Sequence, residues 1–226
     1  MSKKILVIGD EQRIKAFKTC FEGIDSFEID ISDGDEEEDF DLYDLIADLN
    51  FDDNDENMEI YTDLKDKLVL VGAVKQSLSE SVYKSNTKLK CKLFGINALP
   101  VYLASKQWEI SAYRYPEYEA LENFLGNDIA QMVKVADRVG MLRPRLDFVG
   151  MNETAACLQE QILLHQDGHE KVLNPYLENI DKHGITEVFE TLMALYEDTK
   201  EDRYKPGPLL KTRYLRNQSF IKKQKA

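Results

Sequence analysis

This chain of 226 residues is short of the groups on which metal, redox and disulfide chemistry depend, with three cysteines, three histidines and one tryptophan. Cys20, Cys91 and Cys157 are odd in number, widely spaced and without a C-x-x-C pair, which excludes a disulfide framework and leaves reduced, buried thiols. His165 and His169 lie four apart, as two imidazoles of a metal site can, but Asp167-Gly168 between them reads as a loop and no third ligand follows. Asp53-x-Asp55-x-Asn57 opens like a calcium loop, yet Met58 stands where the glycine is needed and Leu64 where the closing glutamate is needed. No metal is expected. There is no apolar run of about 18 residues for a membrane span, and no G-x-S-x-G or Walker A loop to single out a nucleophile or a phosphate cradle. Met1-Ser2-Lys3-Lys4 leads straight into an apolar strand without the stretch and cleavage site of a signal peptide, so a cytoplasmic protein with no membrane partner is expected.

Basic residues are scarce at the start of the chain. The net charge of −13 is concentrated there: residues 1–66 hold 22 acids and 6 bases, and the rest holds 20 acids and 23 bases. Beyond Asp202 the signs reverse, with Arg203, Lys205, Lys211, Arg213, Arg216, Lys222, Lys223 and Lys225 and no acid. Aromatic residues for stacking bases are sparse in this tail and the whole protein is acidic, so nucleic acid is not the expected partner. A solvated tail, or one that docks on an acidic subunit, is the simpler reading.

Glycine is missing where it would matter most. Ile5 to Ile8 is a short apolar run ended by Gly9, as in a parallel strand buried on both faces, and Ile14, Phe17, Cys20 and Phe21 supply the inner face of a following helix. In a dinucleotide-binding G-x-G-x-x-G turn the first glycine makes the bend, the second admits the pyrophosphate and the third lets helix and strand pack. Only Gly9 is present, with Glu11 and Ile14 in the other two places. A carboxylate at that point disfavours an anion at the helix N-terminus, a place that otherwise attracts one.

Phe27–Ile31 reads as a second strand carrying Asp30 about 20 residues after the turn, where a ribose-binding acid is expected. Asp33 to Asp39, with six acids in seven residues, is a solvated loop. Tyr43 to Leu49 and Leu68 to Val71 read as strands joined by a polar stretch from Asp52 to Lys67. Strand-like Leu93–Ile96, a helix over Glu117 to Leu125 ended by Gly126-Asn127, and a strand at Met132–Val135 complete an α/β layer with a mainly parallel sheet. From Arg143 the pattern is helical: Leu146, Val149, Met151, Ala155 and Leu158 form one apolar face, and Val188, Leu192, Leu195 and Tyr196 another. The expected organisation is a reduced Rossmann-like domain over 1–138, then a small all-helical domain over 139–226.

Three segments read together are more specific: Leu68–Ser79 (LVLVGAVKQSLS), Leu93–Pro100 (LFGINALP) with Trp108-Glu109, and Val139–Leu146 (VGMLRPRL). With Met151–Ala155 (MNETA) and Asp202–Leu210 (DRYKPGPLL), their order and spacing resemble the 3-hydroxyacyl-CoA dehydrogenase family, including its I-N-E-A helix and R-Y-x-P-x-P-L-L ending. The resemblance covers most of the chain, with gaps after Asp30, where the family inserts a helical excursion that helps grip coenzyme A, and near Leu173–Tyr176. In that family a histidine takes the proton from the 3-hydroxyl as hydride leaves for NAD, and a glutamate twelve residues on orients it. An ungapped match puts Gln76 at the family's serine, Asn97 at the histidine and Glu109 at the glutamate, while Pro144 replaces the asparagine of G-F-x-x-N-R.

Only the glutamate remains, and losing a general acid–base costs roughly 10²–10⁴-fold. The resemblance therefore implies a catalytically inactive member with Gly9 and Asp30 as vestiges of a cofactor site, no bound cofactor, and a binding or assembly role linked to acyl-CoA metabolism. It also implies a homodimer through the helical domain and leaves room for a protein partner. The competing expectation is an NAD-dependent enzyme with a remodelled site, in which Glu109 acts as base and Asn97 polarises the carbonyl. Each residue also has a structural reading: Glu109 as a packing carboxylate, Asp30 as a strand end, Asn152-Glu153 as a bridge between helices, and Pro206 and Pro208 as pins for the C-terminus.

Overall fold

The computed structural model describes residues 2–32, 38–52, 58–86, 88–126, 128–160 and 169–221. Asp53, Asp55 and Asn57, most of the acidic loop at 33–37, and His165 lie outside the described residues. The chain divides into two compact units, Met1–Met141 and Leu142–Ala226.

In the first unit the order is β1 (Lys3–Ile8), α1 (Glu11–Thr19), β2 (Phe27–Ser32), β3 (Leu45–Asp48), α2 (Met58–Asp63), β4 (Leu68–Gly72), α3 (Leu78–Ser85), β5 (Lys92–Ile96), α4 (Pro100–Leu103), β6 (Gln107–Ala112), α5 (Tyr118–Leu125) and β7 (Gln131–Lys134). Seven strands form one sheet in the order β2-β1-β3-β4-β5-β6-β7. The first five run parallel, β6 is antiparallel to β5, and β7 is parallel to β6. This is a Rossmann-like sheet. Ile8 stands level with Asp48, Asp48 with Val71 and Gly72 with Ile96, so the carboxyl ends of β1, β3, β4 and β5 form one edge.

Strands β3 and β4 are buried at every position, which explains the apolar runs Leu45–Ala47 and Leu68–Gly72, with Asp48 the one charged residue among them. Two cores lie against the sheet. One gathers Phe17, Phe21, Phe94, Trp108 and Leu121, the other Ile46, Phe51, Tyr61, Val69 and Leu78. Trp108 stacks on Phe17 with ring centroids 5.1 Å apart, and its indole N–H donates to the Leu103 carbonyl at 3.0 Å. That bond lets a polar indole nitrogen lie in the core at little cost.

The sequence expectations need three corrections here. The third strand starts at Leu45, leaving Tyr43 before it, and the polar 52–67 stretch holds helix α2. Residues 107–112 form β6, whose strict alternation of polar and apolar residues is a strand signal, although Glu109 and Ser111 are buried as well as Trp108 and Ile110.

The second unit is all-helical among its described residues: α6 (Arg143–Gln159), α7 (His169–His183), α8 (Ile185–Thr199) and α9 (Pro208–Leu215). Pro144 sits in the first turn of α6, where its missing N–H is not needed. On α8, Val188, Leu192 and Leu195 are fully buried. The inner face of α6 is Phe148, Met151, Asn152 and Ala155, a stripe at three- and four-residue spacing. Leu146 and Leu158, assigned to that face from the sequence, are 65% and 40% exposed because Phe148 sets the stripe.

Candidate functional site

The turn after β1 brings α1 to the carboxyl edge with its N-terminus facing the place where a dinucleotide fold holds phosphate. Asp10 caps that helix. Its carboxylate accepts the N–H of Gln12 at 2.8 Å and of Arg13 at 3.0 Å through one oxygen, and the Arg13 guanidinium at 2.9 Å through the other. Arg13 also donates to the Asn50 side-chain oxygen at 2.8 Å, which in turn accepts the Asp10 N–H at 3.2 Å. Arg13 is buried, and a Cβ on Gly9 would meet Leu49 at 3.3 Å. The anion-binding amides of α1 therefore carry the chain's own carboxylate and its counter-ion.

The same substitution occurs twice more on this unit. Asp52 accepts the backbone N–H groups of Val74 at 2.5 Å and Lys75 at 2.9 Å, in the loop after β4. At the N-terminus of α3, Asp137 accepts the N–H groups of Leu78 at 2.7 Å and Ser79 at 2.9 Å and the Ser79 hydroxyl at 2.6 Å. On the N-terminus of α3, Asp137 meets both the exposed N–H groups and the positive end of the dipole, whereas Asp52 satisfies a pair of loop amides.

Asn97 and Glu109 are brought together. Because β6 runs antiparallel with Ile110 opposite Ile96, the next residues along face each other, and the Asn97 N–H donates to the Glu109 carbonyl at 3.1 Å. The Asn97 amide donates to the Glu109 carboxylate at 3.0 Å, and both side chains are only 2% exposed. The amide oxygen accepts the Leu99 N–H at 3.4 Å. An amide held in this way orients a carboxylate but has no nitrogen able to take up a proton. Gly95 beside it is required by close packing, since a Cβ there would lie 2.5 Å from the Ser111 hydroxyl and 2.8 Å from the Ala73 Cβ.

The other positions singled out from the sequence stand apart. Gln76, in the loop after β4, donates to the Phe51 carbonyl at 3.5 Å. Asp30 is level with Leu6, two residues before the end of β2, and shares a hydrogen bond with the Tyr43 hydroxyl, whose pKa is raised by burial and by that neighbouring carboxylate. Among the described residues no group of histidine, cysteine and carboxylate side chains could hold a metal ion. Burial pushes the Cys91 thiol up to about 12 and raises that of Cys20, which keeps both protonated and unreactive.

Asp10 was open to detection, since an aspartate just before a helix is an N-cap signal. Asn50, Asp52 and Asp137 carry no such signal, because they reach their amides from other parts of the chain: 40 residues separate Asn50 from Asp10, and 59 separate Asp137 from Leu78.

No protein-family model matches the chain, and neither does any curated protein. Among solved structures it is similar to FadB2 of Mycobacterium tuberculosis, at 15% identity over 96% of this chain and 95% of that one, with a TM-score of 0.74. It is also similar to (S)-3-hydroxybutyryl-CoA dehydrogenase of Ralstonia eutropha, at 12% identity over 96% and 94% with a TM-score of 0.71. A 3-hydroxyisobutyrate dehydrogenase of Salmonella typhimurium gives 12% identity, 96% and 93% coverage and a TM-score of 0.58. Likenesses at this identity establish architecture: the chain has the fold of the 3-hydroxyacyl-CoA dehydrogenases, a Rossmann-like sheet unit followed by a helical C-terminal unit.

Proposed function

We propose that this chain is a 3-hydroxyacyl-CoA dehydrogenase-like protein without dehydrogenase activity, serving as a binding or assembly module linked to acyl-CoA metabolism. The observation that carries this reading is the Asp10–Arg13–Asn50 cluster. The two helix amides that a pyrophosphate would need are already bonded to a carboxylate, and Glu11 adds a second negative charge in the same turn. These residues do not fit NAD. Asn97 supports the reading independently, since a neutral amide there cannot accept the proton that a 3-hydroxyl must lose.

A second reading keeps an oxidoreductase acting on 3-hydroxyacyl-CoA thioesters, and one observation favours it: Glu109 is retained, buried and in contact with the side chain at the family's base position. Isothermal titration of the protein with NADH and with acetoacetyl-CoA, separately and together, decides between them. The binding-module reading expects no heat from either. Micromolar dissociation constants for both, about −8 kcal/mol each, would overturn it and direct attention to Glu109.

A further inference from the structure

The two edges of the sheet are built differently. β7 is four residues long, and its Lys134 pairs with Glu122 at 2.8 Å, the kind of short, charged edge that resists pairing with another chain. β2 is the other edge. It runs six residues in unbroken register with β1, from Lys3 beside Phe27 to Ile8 beside Ser32, and contains no lysine, proline or bulge. No described strand pairs with its outer side, so half of its N–H and C=O groups face outward as a template.

A groove of about 860 Å³ lies between this edge and α1, lined by Ile14, Phe21, Ile24, Phe27, Ile29 and Ile31. Ile31 is 51% exposed at its end. The aliphatic stems of Lys15 and Lys18 border the groove and add to its apolar wall. On the opposite face of β2 the alternate residues Glu28 and Asp30 are both exposed carboxylates, Glu28 in a half-exposed pair with Lys4 at 3.6 Å and Asp30 hydrogen-bonded to Tyr43. A strand laid along β2 would set its own alternate side chains into the groove and directly opposite these two acids.

We propose that the outer edge of β2 binds an extended segment of a partner protein as an added strand, with apolar residues filling the groove beside α1 and basic residues facing Glu28 and Asp30. Strand addition draws affinity from the backbone groups of a free edge and specificity from pockets for every second side chain, and β2 offers both. The charge of the surrounding chain agrees, since residues 1–66 hold 22 acids against 6 bases and so favour a basic partner. The proposal rests on the binding-module reading and gives it a surface.

The test uses the full chain and fluorescently labelled synthetic peptides. A short peptide alternating isoleucine and lysine should bind in the micromolar range. Its isoleucine–glutamate counterpart should bind roughly tenfold more weakly or worse, and methylation of alternate backbone amides of the isoleucine–lysine peptide should abolish binding. Ile31→Lys should also abolish it while leaving the urea midpoint unchanged, because that side chain is half exposed. The proposal is overturned by absent binding, by equal affinity for the acidic or methylated peptide, by unaltered binding to Ile31→Lys, or by dodecanoate occupying the groove in place of peptide. Sedimentation showing a dimer that Ile31→Lys dissociates would overturn it too, by assigning the edge to a second copy. Silent peptide titrations with silent NADH break this proposal alone, whereas heat with NADH and acetoacetyl-CoA breaks the reading beneath it.

Discussion

Each of the two units buries an asparagine at a position of the family resemblance, and the two do different work. In the helical unit Asn152 donates to the Lys205 carbonyl at 2.9 Å and accepts the Gly207 N–H at 2.8 Å, tying α6 to the Pro206–Pro208 segment ahead of α9. In the sheet unit Asn97 stands where the family has its base and bonds to Glu109. The resemblance is dense where a side chain holds the chain to itself, and thin where it would hold a ligand. Asn152 cannot be exchanged without stranding two backbone groups. Asn97 is held as firmly, between the Glu109 carboxylate and the Leu99 N–H, but by an amide that offers a substrate no base.

The largest break in this comparison is Asn152→Ala. It removes two part-buried hydrogen bonds, to the Lys205 carbonyl and from the Gly207 N–H, and leaves a gap where the buried amide packed, for an expected cost of about 3 kcal/mol. Urea unfolding followed by far-ultraviolet circular dichroism measures it, and a loss below about 0.5 kcal/mol, the low end for a single hydrogen bond, would mean the clamp contributes nothing.

Acid offers a second, comparable handle on the helical unit. His183, at the end of α7, is 8% exposed and packs edge-on against Phe148 with centroids 5.1 Å apart. Burial pushes its pKa from 6.5 down to about 4, with Asp147 opposing and Lys182 assisting. The unfolded chain therefore binds this proton more readily than the folded one between those values. Stability is complete above pH 6.5 and falls as the pH drops toward 4, by about 3 kcal/mol at 1.36 kcal/mol per unit. Subtracting the profile of His183→Gln from that of the native chain should isolate this slope. Parallel profiles would show that the imidazole takes up its proton equally readily in the folded and unfolded chain.

How much of this was legible in the sequence depended on whether a residue's partner was near in the chain. β1 and α1 were legible because Ile5–Ile8 form an unbroken apolar run and Phe17, Cys20 and Phe21 keep helical spacing. β6 is legible in the alternation Gln-Trp-Glu-Ile-Ser-Ala, but the burial of its polar face is not, since Glu109 is covered by Asn97 and Ser111 by the close approach of Gly95. On α6 the Leu146 and Phe148 stripes overlap at helical spacing, and only packing selects the one through Phe148. The absent phosphate loop was plain from Glu11 and Ile14. That Asp52 and Asp137 satisfy paired backbone amides elsewhere on the unit could not be read, because both act across more than twenty residues.

The smallest effect sharpens the comparison most. Asp10→Ser combined with Glu11→Gly keeps a side-chain oxygen to cap α1, but takes away the carboxylate that pairs with the buried Arg13 guanidinium. It removes two negative charges from the turn and leaves the Arg13 guanidinium, still bonded to Asn50, beside the helix amides. If Asp10 is an internal stand-in for an anion, the variant should bind inorganic pyrophosphate with a millimolar constant, about −4 kcal/mol, weakening as salt screens the site. The native chain should give no signal under the same titration. Equal binding by both would show that the carboxylate never closed the site. A variant that remains silent would mean that Asn50 and the packing of Gly9 against Leu49 have closed the turn by shape, and that the loss of the phosphate site lies in the backbone as well as the charge.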